Sequence, residues 1–193
     1  MRMVLASNNA HKLVEIGRML TGWDLVPLKD FPEISDPPET GDTFEGNALQ
    51  KARFVFERTG LPCIADDSGL EVDALDGAPG VYSKRYTPEA IAETNNARLL
   101  RELTGVQDRT ARFVCALALV TETGERAWRG TVEGTIGHQL RGEHGFGYDP
   151  AFHPDATPGR TMAELAPEQK DAISHRGNAL KRLPEAMKAL GIG

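Results

Sequence analysis

The segment that decides the fold lies in the first half of the chain and reads Cys63-Ile64-Ala65-Asp66-Asp67-Ser68-Gly69-Leu70. Its apolar start, residues 63–65, predicts a short buried strand. The residues from Leu70 to Leu75 alternate apolar with acidic side chains, which predicts a second strand. Aspartate, serine and glycine all favour turns. We therefore expect residues 66–69 to form an acidic turn at the end of a strand.

Upstream of this segment, the sequence predicts alternating strands and helices. Apolar runs predict strands from Met3 to Ala6 and from Trp23 to Leu28. Apolar residues at helical spacing predict a helix from Ala10 to Leu20. A further helix is expected to begin at Asp42, whose spacing to Glu45 resembles a capping box. This order of elements is typical of an α/β protein.

Downstream, the pattern changes from helix to long strands. Thr87-Pro88-Glu89 has the order of an N-cap, a first-turn proline and a first-turn acid, which predicts a helix that Gly105 ends. Residues 110–121 and 126–137 are predicted to form a hairpin, because turn-forming residues join two long strand patterns. We expect a brief strand near Phe152, followed by two or three closing helices.

Length, composition and charge limit the classes of function. The 193 residues are expected to form one domain, because domains usually contain about 100 to 200 residues. The net charge of -6 argues against a broad nucleic-acid surface, which requires clustered lysine and arginine. No apolar run approaches the roughly 20 residues of a membrane span, and the first residues turn polar too soon for a secretory signal. We therefore expect a cytoplasmic protein that binds neither membrane nor nucleic acid.

The two cysteines, Cys63 and Cys115, both lie within apolar runs that predict strands. A free thiol in such a run behaves as a small hydrophobic side chain. We therefore expect two buried thiols with no disulfide between them.

The first candidate site is the loop Ser7-Asn8-Asn9-Ala10-His11-Lys12, which leaves a strand and enters a helix. Backbone N–H groups at a helix N-terminus bind anions. A lysine in the first helical turn opposes the helix dipole, so Lys12 is better placed to bind phosphate than to stabilise the helix. The alternative is an ordinary asparagine-capped helix with a solvated lysine.

The second candidate site is a set of three acids, Glu39, Asp66 and Asp67. Adjacent carboxylates repel each other unless a cation, a proton or hydrogen-bond donors compensate them. Magnesium is one such cation, since it takes oxygen ligands and bridges to substrate phosphates. The alternative is a solvated turn.

Two later segments are candidates for binding a base. In residues 144–149, glycines leave room for a ligand and an aromatic ring is available to stack on a base. Lys170 and the pair His175-Arg176 supply donors for oxygen acceptors. The alternatives are a packed aromatic side chain and a capped junction between helices.

Together these segments resemble the inosine triphosphate pyrophosphatase family, also called the non-standard purine triphosphate pyrophosphatases, over essentially the whole chain. The matching residues are Ser7, Asn9 and Lys12; Glu39-Thr40-Gly41-Asp42-Thr43-Phe44 with Asn47-Ala48 and Lys51-Ala52; Asp66-Asp67-Ser68-Gly69-Leu70; Gly77-Ala78-Pro79-Gly80-Val81-Tyr82-Ser83; Phe146-Gly147-Tyr148-Asp149-Pro150; and Ser174-His175-Arg176-Gly177. Asn8 and His11 stand where relatives often have small residues. Each motif is weak alone, but their order and number are highly specific.

The resemblance implies an α/β fold with a mixed central sheet and flanking helices, two lobes around a substrate cleft, and a homodimer. It also implies a magnesium-dependent hydrolase that converts non-standard purine nucleotides such as ITP, dITP and XTP to the monophosphate and pyrophosphate. Glu39 and Asp67 would bind magnesium with Asp66 close by, and Asp67 would be the base that acts on water. The residues implied to bind the substrate are Ser7, Asn8, Asn9, Lys12, Lys51, Ser68, Phe146, Gly147, Tyr148, Asp149, Lys170, His175 and Arg176.

Within that set, the resemblance divides the phosphate ligands from the base ligands. Ser7, Asn9, Lys12 and Lys51 would hold the triphosphate, whereas Phe146, Tyr148, Asp149, Lys170, His175 and Arg176 would surround the purine. Two other functions stay open at this point. One is a Maf-type pyrophosphatase, which acts on other nucleotides and is expected to have a different first motif. The other is a non-catalytic nucleotide-binding module, which would not need a water-activating group.

Overall fold

The computed structural model describes residues 2–192 and contains a mixed β-sheet that is six-stranded across those residues. The strands are β1 (Arg2–Leu5), β2 (Asp24–Pro27), β3 (Cys63–Val72), β4 (Thr110–Thr121), β5 (Gly124–Ile136) and β6 (Phe152–Pro154). Their order in the sheet is β2-β1-β3-β4-β5-β6. β1 pairs in parallel with β2 and β3, whereas β5 and β6 are antiparallel. The predicted α/β fold with a mixed sheet is confirmed.

Six α-helices accompany this sheet within residues 2–192. They are α1 (Ala10–Met19), α2 (Phe44–Thr59), α3 (Ala92–Glu102), α4 (Pro167–Ile173), α5 (His175–Leu180) and α6 (Leu183–Ala189). The predicted start of α2 at Asp42 is wrong. Thr43 is the N-cap, because its hydroxyl accepts the backbone N–H of Gly46, and Gly60 ends the helix in the left-handed region at φ 65°.

The expected acidic turn at residues 66–69 does not form. β3 is one continuous strand of 10 residues, and Asp66 and Asp67 lie in its middle. The reason is that a cation compensates each buried carboxylate, so neither has to be exposed to water. Lys12 lies 2.9 Å from Asp66, and Lys51 lies 2.9 Å from Asp67. The second predicted strand is also shorter than expected, since residues 73–75 form a 3-10 turn.

The residues Thr87-Pro88-Glu89 do not open α3, which begins at Ala92. Ala90 has a positive φ of 53°, a conformation that cannot continue a right-handed helix. Thr87 instead donates its backbone N–H to the side chain of Asn95 at 2.8 Å. The segment is therefore a turn bonded to the helix that follows it.

Other predicted elements are confirmed: β1, α1, β2, the β4–β5 hairpin, β6 and three closing helices. Both cysteines are buried thiols. No helix among residues 2–192 is long and apolar enough to span a membrane.

The described chain divides into two compact units. The first unit contains residues 2–67, 115–130 and 176–192, and the second contains residues 68–114 and 131–175. Each has its own apolar core. Ile16, Leu117 and Trp128 belong to the core of the first, and Leu99 and Phe152 belong to the core of the second. Whether both units form one domain, as the length predicts, stays a prediction.

Candidate active site

The predicted site residues are distributed over both units. The first unit contains Ser7, Asn8, Asn9, Lys12, Glu39, Lys51, Asp66, Asp67 and Arg176, and the second contains Ser68, Phe146, Gly147, Tyr148, Asp149, Lys170 and His175. The first set is rich in charged groups. The second contains every aromatic side chain that was predicted to contact a base.

In the first unit, Asp66 lies between two cations. Its carboxylate is 2.9 Å from the Lys12 ammonium and 3.0 Å from the Arg176 guanidinium. The Asp66 side chain is 0% exposed, so both contacts occur away from bulk water. A buried carboxylate is costly unless it is paired and hydrogen-bonded, and here it has two cationic partners.

Arg176 is itself buried and binds two carboxylates. Besides Asp66 it pairs with Glu15, which lies on α1 one turn after Lys12. Only 1% of the Arg176 side chain is exposed. Burial works against the charged guanidinium, but Asp66 and Glu15 outweigh it and raise the pKa of Arg176. Arg176, which the family resemblance assigned to the purine, therefore lies in the charged cluster of the first unit.

A second group of charges surrounds Lys51 on α2. Its ammonium lies 2.9 Å from Glu39 and 2.9 Å from Asp67. Burial raises the pKa of Asp67, although Lys51 and Lys12 oppose this shift. The neighbouring carboxylates keep Lys51 protonated, because they raise its pKa against the effect of burial. Two carboxylates from separate parts of the chain thus face one cation.

The first loop has the geometry of a helix cap. The Asn9 side chain accepts the backbone N–H groups of His11 at 3.0 Å and Lys12 at 3.3 Å. Ser7 accepts the backbone N–H of Asn9, and the exposed Asn8 donates to Asp36 at 2.6 Å. The predicted asparagine cap is confirmed, but Lys12 is not the solvated lysine of the ordinary case, since it pairs with Asp66.

The donor set of the first unit fits magnesium. Glu39 and Asp67 supply carboxylate oxygens directed at one cationic position, now taken by the Lys51 ammonium. No group of three or more His, Cys, Asp or Glu side chains placed to hold a metal occurs in residues 2–192. Magnesium does not require one, because it commonly binds through one or two carboxylates and completes its shell with waters and substrate phosphates.

In the second unit, the loop at residues 142–149 folds around Asp149. This carboxylate is buried and accepts from the Lys170 ammonium at 2.6 Å and from the backbone N–H of Phe146 at 2.8 Å. The Lys170 ammonium also lies 4.9 Å from the centre of the Phe146 ring. Gly145 is required here, because it has φ 75° and a Cβ atom would collide with the Asp149 carboxylate. The loop therefore holds Phe146 beside a buried ion pair.

The remaining residues of the second unit are packed. Tyr148 is 5% exposed, belongs to the apolar core and donates its hydroxyl to the carbonyl of Ser83 at 2.9 Å. His175 is 5% exposed, and its ring stacks on Phe113 with centres 4.9 Å apart. Ser68 and Gly147 are half-buried. Of the predicted aromatic residues, Phe146 is thus more accessible than Tyr148.

Some polar residues whose side chains contact this set were not predicted to have a role. They are Glu15, which binds Arg176; Asn47, which donates to Asp67 at 3.2 Å; and Asn96, which donates to the carbonyl of Gly147 at 2.8 Å. Helical spacing carried a signal for two of them. Glu15 lies three residues after Lys12, and Asn47 lies four before Lys51, so each pair shares a helix face.

Comparisons with known proteins identify the family of the chain. The model of the Ham1 family matches residues 3–186. A dITP/XTP pyrophosphatase from Exiguobacterium is 50% identical over 187 residues, which cover 95% of each chain. Another from Geobacter sulfurreducens is 50% identical over 197 residues, covering 99% of this chain and 98% of the relative.

Solved structures show the same fold. The Ham1 protein of Staphylococcus aureus superposes with a TM-score of 0.87 at 38% identity, covering 98% of this chain and 99% of that one. A structure described as nucleoside-triphosphatase / dITP/XTP pyrophosphatase from Mycobacterium abscessus gives 0.78 at 49% identity, covering 95% of this chain and 98% of that one. The family resemblance predicted from the motifs is confirmed, and the chain belongs to the Ham1 family.

Proposed function

We propose that this chain is a nucleoside triphosphate pyrophosphatase that hydrolyses non-standard purine nucleotides, dITP, ITP and XTP, to the monophosphate and pyrophosphate. Such an enzyme removes damaged precursors from the nucleotide pool. The observation that carries the proposal is the buried Asp67 carboxylate, held 2.9 Å from Lys51 and opposite Glu39, in a chain half identical to dITP/XTP pyrophosphatases. A module that only bound nucleotides would not need this carboxylate.

Glu39 and Asp67 are the residues that we propose to hold magnesium, with Asp66 close by. When bound, magnesium would neutralise phosphate charge and help to orient the triphosphate. Support comes from the convergence of the two carboxylates on one cation and from their oxygen donors.

Lys12 and Lys51 would bind the triphosphate, together with Ser7, Asn8, Asn9 and Ser68. Both lysines are nearly buried, since 14% and 6% of their side chains are exposed. A cation shielded from water interacts more strongly with a phosphate than a solvated cation does. The Asn9-capped start of α1 adds backbone N–H groups and the positive end of the helix dipole.

Asp67 would act as the base. In the proposed step, a water oxygen forms a bond to the α-phosphorus while the bond from that phosphorus to the bridging oxygen breaks. Asp67 accepts a proton of the water, and pyrophosphate leaves with the bonding electron pair. Burial raises the pKa of Asp67, which makes it a stronger proton acceptor than a solvated aspartate.

The residues of the second unit would recognise the purine. Phe146 offers a ring face, and Lys170 with Asp149 offers a buried donor and acceptor beside it. Gly147, Tyr148 and His175 belong to the same set on family resemblance, which also assigns Arg176 of the first unit to it. A site that donates hydrogen bonds to a 6-oxo group leaves those donors unpaired against a 6-amino group, so it would reject ATP.

We also propose, on family resemblance, that the enzyme is a cytoplasmic homodimer. Two of the relatives named above are dITP/XTP pyrophosphatases, whose names describe nucleotide substrates. Size-exclusion chromatography with light scattering measures the oligomeric state directly.

Product analysis tests the function. The protein is incubated with dITP, ITP, XTP, ATP and GTP, with magnesium and with a chelator, and the products are separated by ion-exchange chromatography. We expect monophosphate and pyrophosphate from dITP, ITP and XTP, only with magnesium. Release of phosphate and a diphosphate would contradict the proposal, and preference for other bases would favour a Maf-type specificity.

A further inference from the structure

Asn47 makes two hydrogen bonds within the first unit, and it is 1% exposed. Its amide nitrogen donates to Asp67 Oδ2 at 3.2 Å. Its amide oxygen accepts the backbone N–H of Gly41 at 2.8 Å. A single side chain therefore connects the strand that carries Asp67 to the loop that follows Glu39.

The loop approaches the Asn47 side chain closely at Gly41. A Cβ atom on Gly41 would lie 2.9 Å from Asn47 Oδ1 and 3.5 Å from its backbone nitrogen. Contacts below 3.0 Å force something to shift. The position of the Asn47 amide is thus fixed on one side by the loop and on the other by Asp67.

The two oxygens of Asp67 are bound by different residues of one helix. Lys51 takes Oδ1 at 2.9 Å and Asn47 takes Oδ2 at 3.2 Å, and the two residues are four apart on α2. Residues four apart in a helix lie on the same face. An amide cannot exchange its donor and acceptor without breaking both bonds, so this arrangement fixes the rotation of the Asp67 carboxylate.

We propose that Asn47 is a positioning residue, which orients the Asp67 carboxylate and fixes its distance from the Glu39 loop. This inference rests on the proposed role of Asp67. Asn47 acts on the substrate only through Asp67, so its loss lowers the rate of the chemical step and not the affinity for nucleotide. Substitution of a residue that orients a metal ligand or catalytic group commonly lowers activity by about 10- to 100-fold.

The chain provides a matched control in Gln50, which lies on the same helix. Gln50 accepts the backbone N–H of Thr40 at 3.0 Å and donates to the Thr40 hydroxyl at 2.9 Å, so it binds the same loop through Thr40 and not through Asp67. Asn47→Asp and Gln50→Glu are both isosteric changes that add one negative charge and keep the acceptor for the loop. Only Asn47→Asp replaces the donor to Asp67.

The experiment measures kcat and KM for both variants and the wild type, using dITP or whichever nucleotide the wild type hydrolyses. We expect Asn47→Asp to lower kcat by about 10- to 100-fold with KM changed by less than about threefold. Gln50→Glu should keep kcat within about twofold. Gly41→Ala adds no charge but displaces the Asn47 amide, so it should also lower kcat.

Thermal unfolding of each variant separates positioning from folding. A kcat for both Asn47→Asp and Gly41→Ala equal to that of Gln50→Glu would overturn the inference. The inference would also be overturned if kcat fell only in proportion to the unfolded fraction of each variant. A wild type that yields other products would overturn the proposed function, and the ratio of kcat values would still test the role of Asn47.

Discussion

The candidate residues of the first unit are held by a network of ion pairs, whereas those of the second unit combine one buried ion pair, Lys170–Asp149, with backbone and aromatic contacts. In the first unit, Lys12, Lys51 and Arg176 pair with four carboxylates from a helix, a loop and a strand. In the second unit, the loop binds its own Asp149 through the backbone N–H of Phe146. One cluster is assembled from distant segments and the other largely within one loop.

The difference has a physical origin. Buried charges must each find partners, and short segments of chain seldom supply enough of them, so distant elements are brought together. An aromatic ring needs only a support that fixes its direction, which a glycine-containing loop provides locally. We expect substitutions in the first unit to change the rate of the reaction or the stability of the fold. Substitutions of Phe146 should change the affinity for the base.

The largest expected effect is that of Asp67→Asn. Loss of the proposed base should lower kcat by about 100- to 10,000-fold, which is the usual contribution of a general base. The fold should survive, because asparagine keeps the shape of aspartate and Lys51 keeps its ion pair with Glu39. Steady-state kinetics and thermal unfolding measure both effects.

Asp42→Asn is the control for Asp67→Asn, since Asp42 is an exposed acid close in sequence to Glu39. It should retain wild-type kcat. Near-normal turnover of Asp67→Asn would remove Asp67 from the proposed role.

The next largest effect is expected for Arg176→Met. The substitution removes the buried guanidinium that binds both Glu15 and Asp66, so it should lower the free energy of unfolding by about 3–5 kcal/mol. Urea unfolding measures this change, with the exposed Arg126→Met as the matched control. Equal unfolding free energies for the two variants would show that the buried pairs do not stabilise the first unit.

A smaller effect is expected for Phe146→Ala in the second unit. Stacking of a base on an aromatic ring contributes about 1–3 kcal/mol, so KM for XTP should rise on the order of 10-fold while kcat changes less. His144→Ala, in the same loop and exposed, is the control. A fall in kcat with constant KM would contradict the division between the two units.

Sequence patterns predicted most elements because strand and helix periodicities are local. They failed at β3, where two adjacent acids suggested a turn. The reason is that Lys12 and Arg176, which neutralise Asp66 in the strand, lie 54 residues before it and 110 residues after it. Propensity alone carries no information about partners at that separation. The start of α3 was missed for a local reason, the positive φ of Ala90.

The composition of the candidate site was more predictable than its internal contacts. Motif order identified the acids, the lysines and the base loop. It did not reveal that Arg176 binds Asp66 and Glu15, or that Asn47 donates to Asp67, because pairing depends on which helix faces meet. Glu15 and Asn47 could have been found by asking which polar residues share a helix face with a predicted ligand.

The most direct test of the account follows the oxygen of the attacking water. Hydrolysis of dITP in water enriched in a heavy oxygen isotope, with mass spectrometry of both products, identifies the phosphorus that is attacked. The account predicts that the heavy oxygen appears in the monophosphate and not in pyrophosphate, because water guided by Asp67 attacks the α-phosphorus. Heavy oxygen in pyrophosphate, or in released phosphate, would contradict it.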